Sequence, residues 1–286
     1  MTILAESLLL YSRPMSVDHY ENFPVASLLL PGRLRPVVRA IYAFARSADD
    51  YADEGDLSPA ERLRLLRGYR DDLDRIARGM PATLPILSRL QAQIIAHRLP
   101  LAPFYDLLDA FEQDVVKDRY ASFDELLDYC RRSANPIGRL LLHLFDAATP
   151  DHLHRSDAIC TALQLINHWQ DIALDLDKGP RGRIYLPQDE LARFGVSEAA
   201  LRRRPMSAEL RALMRFQVER ARRLMLAGAG LGRSLSGRIG LEIRTIIASG
   251  LTLLDKIDAV GGDVFIRRPV LNAFDWPRIF LRAARL

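Results

Sequence analysis

The stretch Gln164 to Asp175, QLINHWQDIALD, puts the strongest constraint on what this chain can fold into. In a helix, residues four apart advance about 40° past a full turn, so Asn167, Asp171 and Asp175 fall within one stripe about 80° wide. Leu163, Ile166, Trp169, Ile172, Ala173 and Leu174 spread apolar surface over much of the remaining circumference. Such a helix is expected to be buried with its acidic stripe lining a cavity, because an unpaired carboxylate in a core costs on the order of several kcal/mol.

A second stripe lies upstream. Asp49 and Asp53, in ARSADDYADE, are again four apart and follow the apolar run Ile41 to Ala45. One such pair is ordinarily a solvated helix face. Two, one of them among apolar neighbours, are better explained as carboxylates facing each other across a cavity. Hard cations take oxygen ligands and tolerate retained water, so magnesium bridging to a diphosphate is the expected occupant.

The rest of the chain is helical in pattern. Segments 37–51, 59–78, 84–97, 104–116, 123–144, 158–176, 207–226 and 239–258 each carry apolar residues at helical spacing. No segment alternates as a strand would. Asp56 to Pro59 and Ser122 look like helix starts, the latter with Glu125 as a capping box, and KGPRGR, Lys178 to Arg183, is a breaker straight after the second stripe. No linker or repeat divides the 286 residues, so one all-α domain over 1–286 is expected, a helical bundle with a central cavity.

The net charge of +4 suits an anionic substrate or a membrane surface and is weak support for nucleic acid. The first residues have no basic region and Glu6 interrupts their apolar run, and no apolar run approaches 18 residues, so neither a signal peptide nor a membrane span is expected. The two cysteines, Cys130 and Cys160, lack metal-ligand spacing and fit reduced core thiols of a cytoplasmic protein.

Five stretches, HYENFPVAS (19–27), AIYAFARSADDYADE (40–54), DVVKDRYASFDELLDYC (114–130), QLINHWQDIALD and RIYLP (183–187), resemble the squalene/phytoene synthase family in order and spacing, from about His19 to Arg268. The resemblance implies the all-α isoprenoid synthase fold and magnesium-dependent chemistry on a prenyl diphosphate. It makes Asp49, Asp53, Asn167, Asp171 and Asp175 the metal ligands. It places Tyr42 and Arg46 near the diphosphate and Tyr129 beside the site, the three residues expected to take part in catalysis. His19, Asn22 and Phe23 match an amino-terminal substrate segment; Asp114, Gln164, Arg183, Tyr185 and one of Arg267 and Arg268, with Arg268 favoured, complete the substrate-binding set.

Physical logic agrees. Ionising such a diphosphate requires a stabilised departing anion, while the hydrocarbon and carbocation require a deep apolar cavity. Faces of Phe23, Tyr42 and Tyr129 are suited to stabilise a cation, at roughly 0.5–2 kcal/mol each.

Departures from the family pattern narrow the reading. Members that condense two prenyl diphosphates usually have arginine where Gln170 stands, VAG where this chain has SANP (Ser133 to Pro136), and a tyrosine where Gly250 aligns. Small or polar groups there suit one bulky diphosphate and a water. With HYENFPVAS, NHWQD and ANPIGR, the chain is similar to hydroxysqualene synthases of bacterial hopanoid biosynthesis, which take presqualene diphosphate and use water, not NADPH. Such an activity implies partner enzymes of the squalene pathway. Condensation to squalene or phytoene is the alternative. A non-catalytic assembly subunit is a further one, disfavoured because the four principal aspartates remain.

Four further features bear on the reading. GAGLG (228–232) lacks the strand and last glycine of a dinucleotide fingerprint and is expected to be a flexible break. His168 points about 100° from its neighbour Asn167, so packing is expected of it. Arg202 to Arg204 and the arginines through Arg223 read as solvated helix faces, not a nucleic-acid surface. The tail Phe274 to Leu286 mixes aromatic residues with arginines, a composition for a helix at the inner membrane surface, unless it closes the bundle instead.

Overall fold

A computed structural model describes residues 31–179, 181–204 and 206–286. His19, Asn22 and Phe23 lie outside the described residues. The helices are α1 (Arg35–Asp53), α2 (Pro59–Ala77), α3 (Pro85–His97), α4 (Ala102–Val116), α5 (Phe123–Ser133), α6 (Asn135–Leu144), α7 (Pro150–Gln170), α8 (Ile172–Asp175), α9 (Gln188–Arg193), α10 (Glu198–Arg203), α11 (Ala208–Gly228), α12 (Leu231–Ser234), α13 (Gly237–Ala259) and α14 (Trp276–Arg285). No strand occurs among the described residues; a lone bridge joins Arg119 to Ile184.

Local chemistry explains most boundaries. Ser58 caps α2 in a reciprocal box with Glu61. Ser122 caps α5 by accepting from the Glu125 amide, but the Glu125 carboxylate accepts from the Ala121 amide and pairs with Lys117, so only half of the expected box forms. The segment 123–144 is not one helix. It breaks at Ala134, because Pro136 has no amide hydrogen and crowds the residue before it.

The key helix is also interrupted. α7 ends at Gln170, and Asp171 (φ −101°, ψ 8°) leads into the single turn α8. The bonds from Asp171 N to Asn167 O (2.9 Å) and from Asp175 N to Asp171 O (2.8 Å) persist across the kink. The three-residue register of the stripe therefore survives it. Every residue of α7 from Ile159 to Gln170 is buried, as a helix apolar nearly all round requires.

Two apolar clusters form the core. One gathers α7, α11 and α13 around Trp169; the other joins α1 to α4 and α6 around Phe44, Phe104 and Phe111. α6 comes close to α7 at Gly138, where a Cβ would stand 2.3 Å from Ser156 Oγ and 2.6 Å from Cys160 Sγ. The GAGLG stretch is packed, not loose: it ends α11 and starts α12, and a Cβ on Gly228 would lie 2.5 Å from Arg155 O. Cys130 and Cys160 are buried free thiols, each pushed up to about 12 by burial. α14 does close the bundle, burying Ile279 and Ala283 against α13. Among the described residues no helix is long and apolar enough to cross a membrane.

Candidate active site

α1 carries Tyr42, Arg46, Asp49 and Asp53 along one face at near-helical spacing. Arg46 is held by acids of its own helix end, at 2.8 Å from Asp50, 2.6 Å from Glu54 and 3.7 Å from Asp49. Tyr42 is half-buried and interacts with the Arg46 guanidinium. Asp49 keeps 27% of its side-chain surface, yet burial and then the neighbouring Asp53 raise its carboxyl to about 6.

The second stripe is deeper. Asn167 and Asp175 are buried, and Asn167 Oδ1 has no hydrogen-bond partner. Burial raises the Asp175 carboxyl to about 7, against the opposing pull of Lys178. Asp171 is paired through both oxygens with Arg268, while Arg267 is exposed beside it. Gln164 is buried one turn before Asn167.

The breaker brings the stripes together. Gly182 (φ 62°) folds the chain back so tightly that a Cβ there would lie 2.3 Å from Leu176 O. Arg183 consequently returns to the site, its amide 2.6 Å from Asp175 O. Its guanidinium forks onto Asp53 at 2.9 and 2.6 Å and donates to Asp114 O at 2.8 Å. Lys178 stands 3.5 Å from Asp175 and 3.8 Å from Asp53, touching one acid of each stripe. Burial pushes Asp53 upward, and the Arg183 fork more than offsets it, leaving this carboxyl below its ordinary range. Arg119 steadies the breaker by donating to Gly182 O and Arg181 O.

An aromatic wall stands behind these charges. Tyr129 OH donates to Asp114 Oδ2 at 2.9 Å, and Tyr120, Tyr129 and Tyr185 lie 5.4–5.9 Å apart between ring centres. His168 stacks on Tyr185 at 3.6 Å. Burial holds its imidazole well below the ordinary range, and Nε2 has no partner. Burial raises Asp114 to about 7, countered in part by Arg183; its Oδ1 is also unpartnered. His168 thus packs, as expected, but at the wall of the site. With Asp175, Arg183 and Tyr185 it lines a cavity of about 10 Å³, room for about one water. This is far smaller than the deep apolar cavity expected for a hydrocarbon.

Sequence reasoning missed three contributors. Lys178 was read only as part of a breaker, and Tyr120 and Arg119 stand inside the middle motif without having been singled out. The signal for the first was present: a cation three residues after Asp175, just past the helix end, is close enough in sequence to fold back on it.

Among the described residues no three His, Cys, Asp or Glu side chains cluster closely enough to hold a metal alone. Magnesium is commonly held by one or two carboxylates together with substrate phosphates, so a protein-only cage is not required. The donor set fits it. Asp49, Asp53, Asn167, Asp171 and Asp175 offer only hard oxygens, and the Asn167 carbonyl is unsatisfied.

The family model for squalene/phytoene synthase matches residues 17–275. The chain belongs to the squalene/phytoene synthase family. A hydroxysqualene synthase of Zymomonas mobilis is 35% identical over 235 residues, covering 81% of this chain and 77% of that protein. A phytoene synthase of Arthrospira platensis is 31% identical over 270 residues, covering 90% and 85%. The crystal structure of squalene synthase HpnC from Alicyclobacillus acidocaldarius superposes with a TM-score of 0.77 at 37% identity, covering 85% and 90%. The fold is accordingly that of isoprenoid synthases, and members of the family are enzymes acting on prenyl diphosphates.

Two of the residues that depart from the condensing pattern acquire physical roles. Gln170 is buried and donates to Pro269 O, fastening the strap that carries Arg268. Gly250 does not open the site as expected: a Cβ there would lie 2.6 Å from Met225 Cε and 3.3 Å from Leu163 Cδ2, so the missing side chain is filled by core packing.

Proposed function

We propose that this protein is a hydroxysqualene synthase acting on presqualene diphosphate. The observation that carries this reading is the second stripe. There Gln170 donates to Pro269 O and Asp171 pairs with Arg268, tying the stripe to the strap, and Gln170 occupies the position at which condensing relatives usually place arginine. The likeness to hydroxysqualene synthase at 35% identity supports the same reading.

Asp49, Asp53, Asn167, Asp171 and Asp175 would hold magnesium, which when bound neutralises diphosphate charge and favours its departure. The chain's own cations have a parallel task. Lys178, Arg183 and Arg268, now resting on carboxylates, donate to the anionic oxygens of the substrate and stabilise the charge that grows on them. Tyr42 and Arg46 extend this set from α1. Loss of the diphosphate leaves a cyclopropylcarbinyl cation, which rearranges beside Tyr42 and Tyr129. A water then forms the new C–O bond and gives up a proton, so no NADPH is consumed. Enzymes that supply presqualene diphosphate and consume the alcohol are the implied partners.

Condensation of two prenyl diphosphates is the competing reading, favoured by the 31% identity to phytoene synthase over 90% of the chain. Purified protein with magnesium, without NADPH, given presqualene diphosphate or farnesyl diphosphate separately, distinguishes them by mass spectrometry. The expected product is an alcohol bearing oxygen from isotopically labelled water, formed only from presqualene diphosphate. Presqualene diphosphate accumulating from farnesyl diphosphate contradicts the proposal.

A further inference from the structure

The most exposed of the large apolar side chains that break the surface among the described residues are Phe274 (92%) and Ile266 (86%). They lie at the two ends of the strap whose middle is fastened into the site, through Arg268 on Asp171 and Pro269 O on Gln170. The strap leads into α14, held there by Lys256, which donates to Val270 O and pairs with Asp275.

α14 has three sectors. Ile279 and Ala283 face α13 and are buried. Phe280 and Leu281 fall about 100–200° farther round and are exposed. Arg278, Arg282 and Arg285 occupy the remaining arc. Arg278 and Arg282 share Asp255. No acidic partner is seen for Arg267 or Arg285 among the described residues. From Ile266 to Leu286 there are five arginines and one aspartate. An isolated helix closing a bundle needs only its buried sector. The second apolar sector, bordered by cations, matches a helix lying in a lipid interface. A second copy of this chain is a poorer occupant, because a two-fold contact would set arginines against arginines.

We propose that Ile266, Phe274, Phe280 and Leu281, with Arg267 and Arg285, seat the protein on an anionic bilayer, turning the strap end of the site toward the lipid. The surface is independent of which prenyl product is made.

Flotation of the full-length protein with vesicles of phosphatidylcholine, alone or mixed with phosphatidylglycerol, at low and high salt, tests it. Binding is expected with the anionic vesicles and should weaken with salt. Phe274→Ser with Leu281→Ser should lower partition about tenfold, since two exposed apolar side chains lose their lipid contact. Arg267→Gln with Arg285→Gln should remove the preference for anionic vesicles. Thermal melts matching the native protein verify folding of both variants. Native protein that stays with the dense fraction, or a serine variant that floats as the native protein does, overturns the proposal. So does a native dimer that the serine variant dissociates without any vesicle binding, which assigns the face to a second copy.

Discussion

The two acidic stripes are built differently. The first rides on an unbroken helix, partly open to solvent, and its acids are balanced close at hand by Arg46 and Arg183. The second sits across a helix kink in the core, with one orphaned carbonyl and an acid raised to about 7. Each stripe keeps one carboxyl raised by burial, Asp49 to about 6 and Asp175 to about 7, but the second, although its acids meet Arg268 and Lys178, also holds an unsatisfied carbonyl for a cation. Lys178 and Arg183 contact both and couple them.

Removing charge from either stripe should show this most strongly. Asp49→Asn and Asp171→Asn are each expected to lower turnover about 10²- to 10⁴-fold, with the fold retained. Steady-state kinetics with matched circular dichroism checks both, and near-native turnover in either variant breaks the comparison.

Their stabilities should diverge. A carboxyl raised in the folded state is penalised for ionising, so the penalty is complete above the folded value and vanishes as pH falls below the unfolded one. For Asp49 that window runs from about 6 down to 3.8. Asp49→Asn should therefore melt higher than the native protein at pH 7.5 and lose that advantage near pH 4. Asp171→Asn instead weakens the ion pair to Arg268 and should melt lower at neutral pH.

Arg183→Gln sharpens the coupling. It leaves Asp53 and Asp114 facing each other without their shared cation, at a cost of about 2–4 kcal/mol, tempered by the partial exposure of Asp53. Denaturant unfolding measures it. A loss no larger than that of an exposed pair would show that the Arg183 side chain does little to hold Asp53 and Asp114 together.

Glu242 serves as an acid outside both stripes. It is buried in α13 with one unpartnered oxygen, and burial raises it from 4.5 to about 8. Stability should fall as pH rises through that interval, by about 1–4 kcal/mol in total, because the unfolded chain releases the proton first. Glu242→Gln should flatten this part of the profile in thermal melts without changing magnesium dependence. An unchanged slope would show that the carboxyl finds a partner.

Much of this was legible in the chain. The burial of α7 followed from its apolar circumference, and the all-helical pattern from the spacing of apolar residues and the absence of alternation. Interruptions were harder to read. Pro136 was the overlooked marker of the break at Ala134 inside the helix expected over 123–144, but Asp171 has no such local marker for its kink. Arg183 reaches Asp53 across 130 residues of sequence, a contact created by the Gly182 turn. Gly250 was misread because a glycine reports missing volume without saying whether a neighbour such as Met225 has filled it.

Calorimetric titration of magnesium into the protein saturated with an unreactive thio-diphosphate analogue of presqualene tests the central claim most directly: that the stripes act as one cation and diphosphate site. Metal uptake is expected in the native protein, sharply weakened in both Asp49→Asn and Asp171→Asn. Uptake that survives either substitution at native affinity would mean that one stripe binds without the other, and would contradict the account.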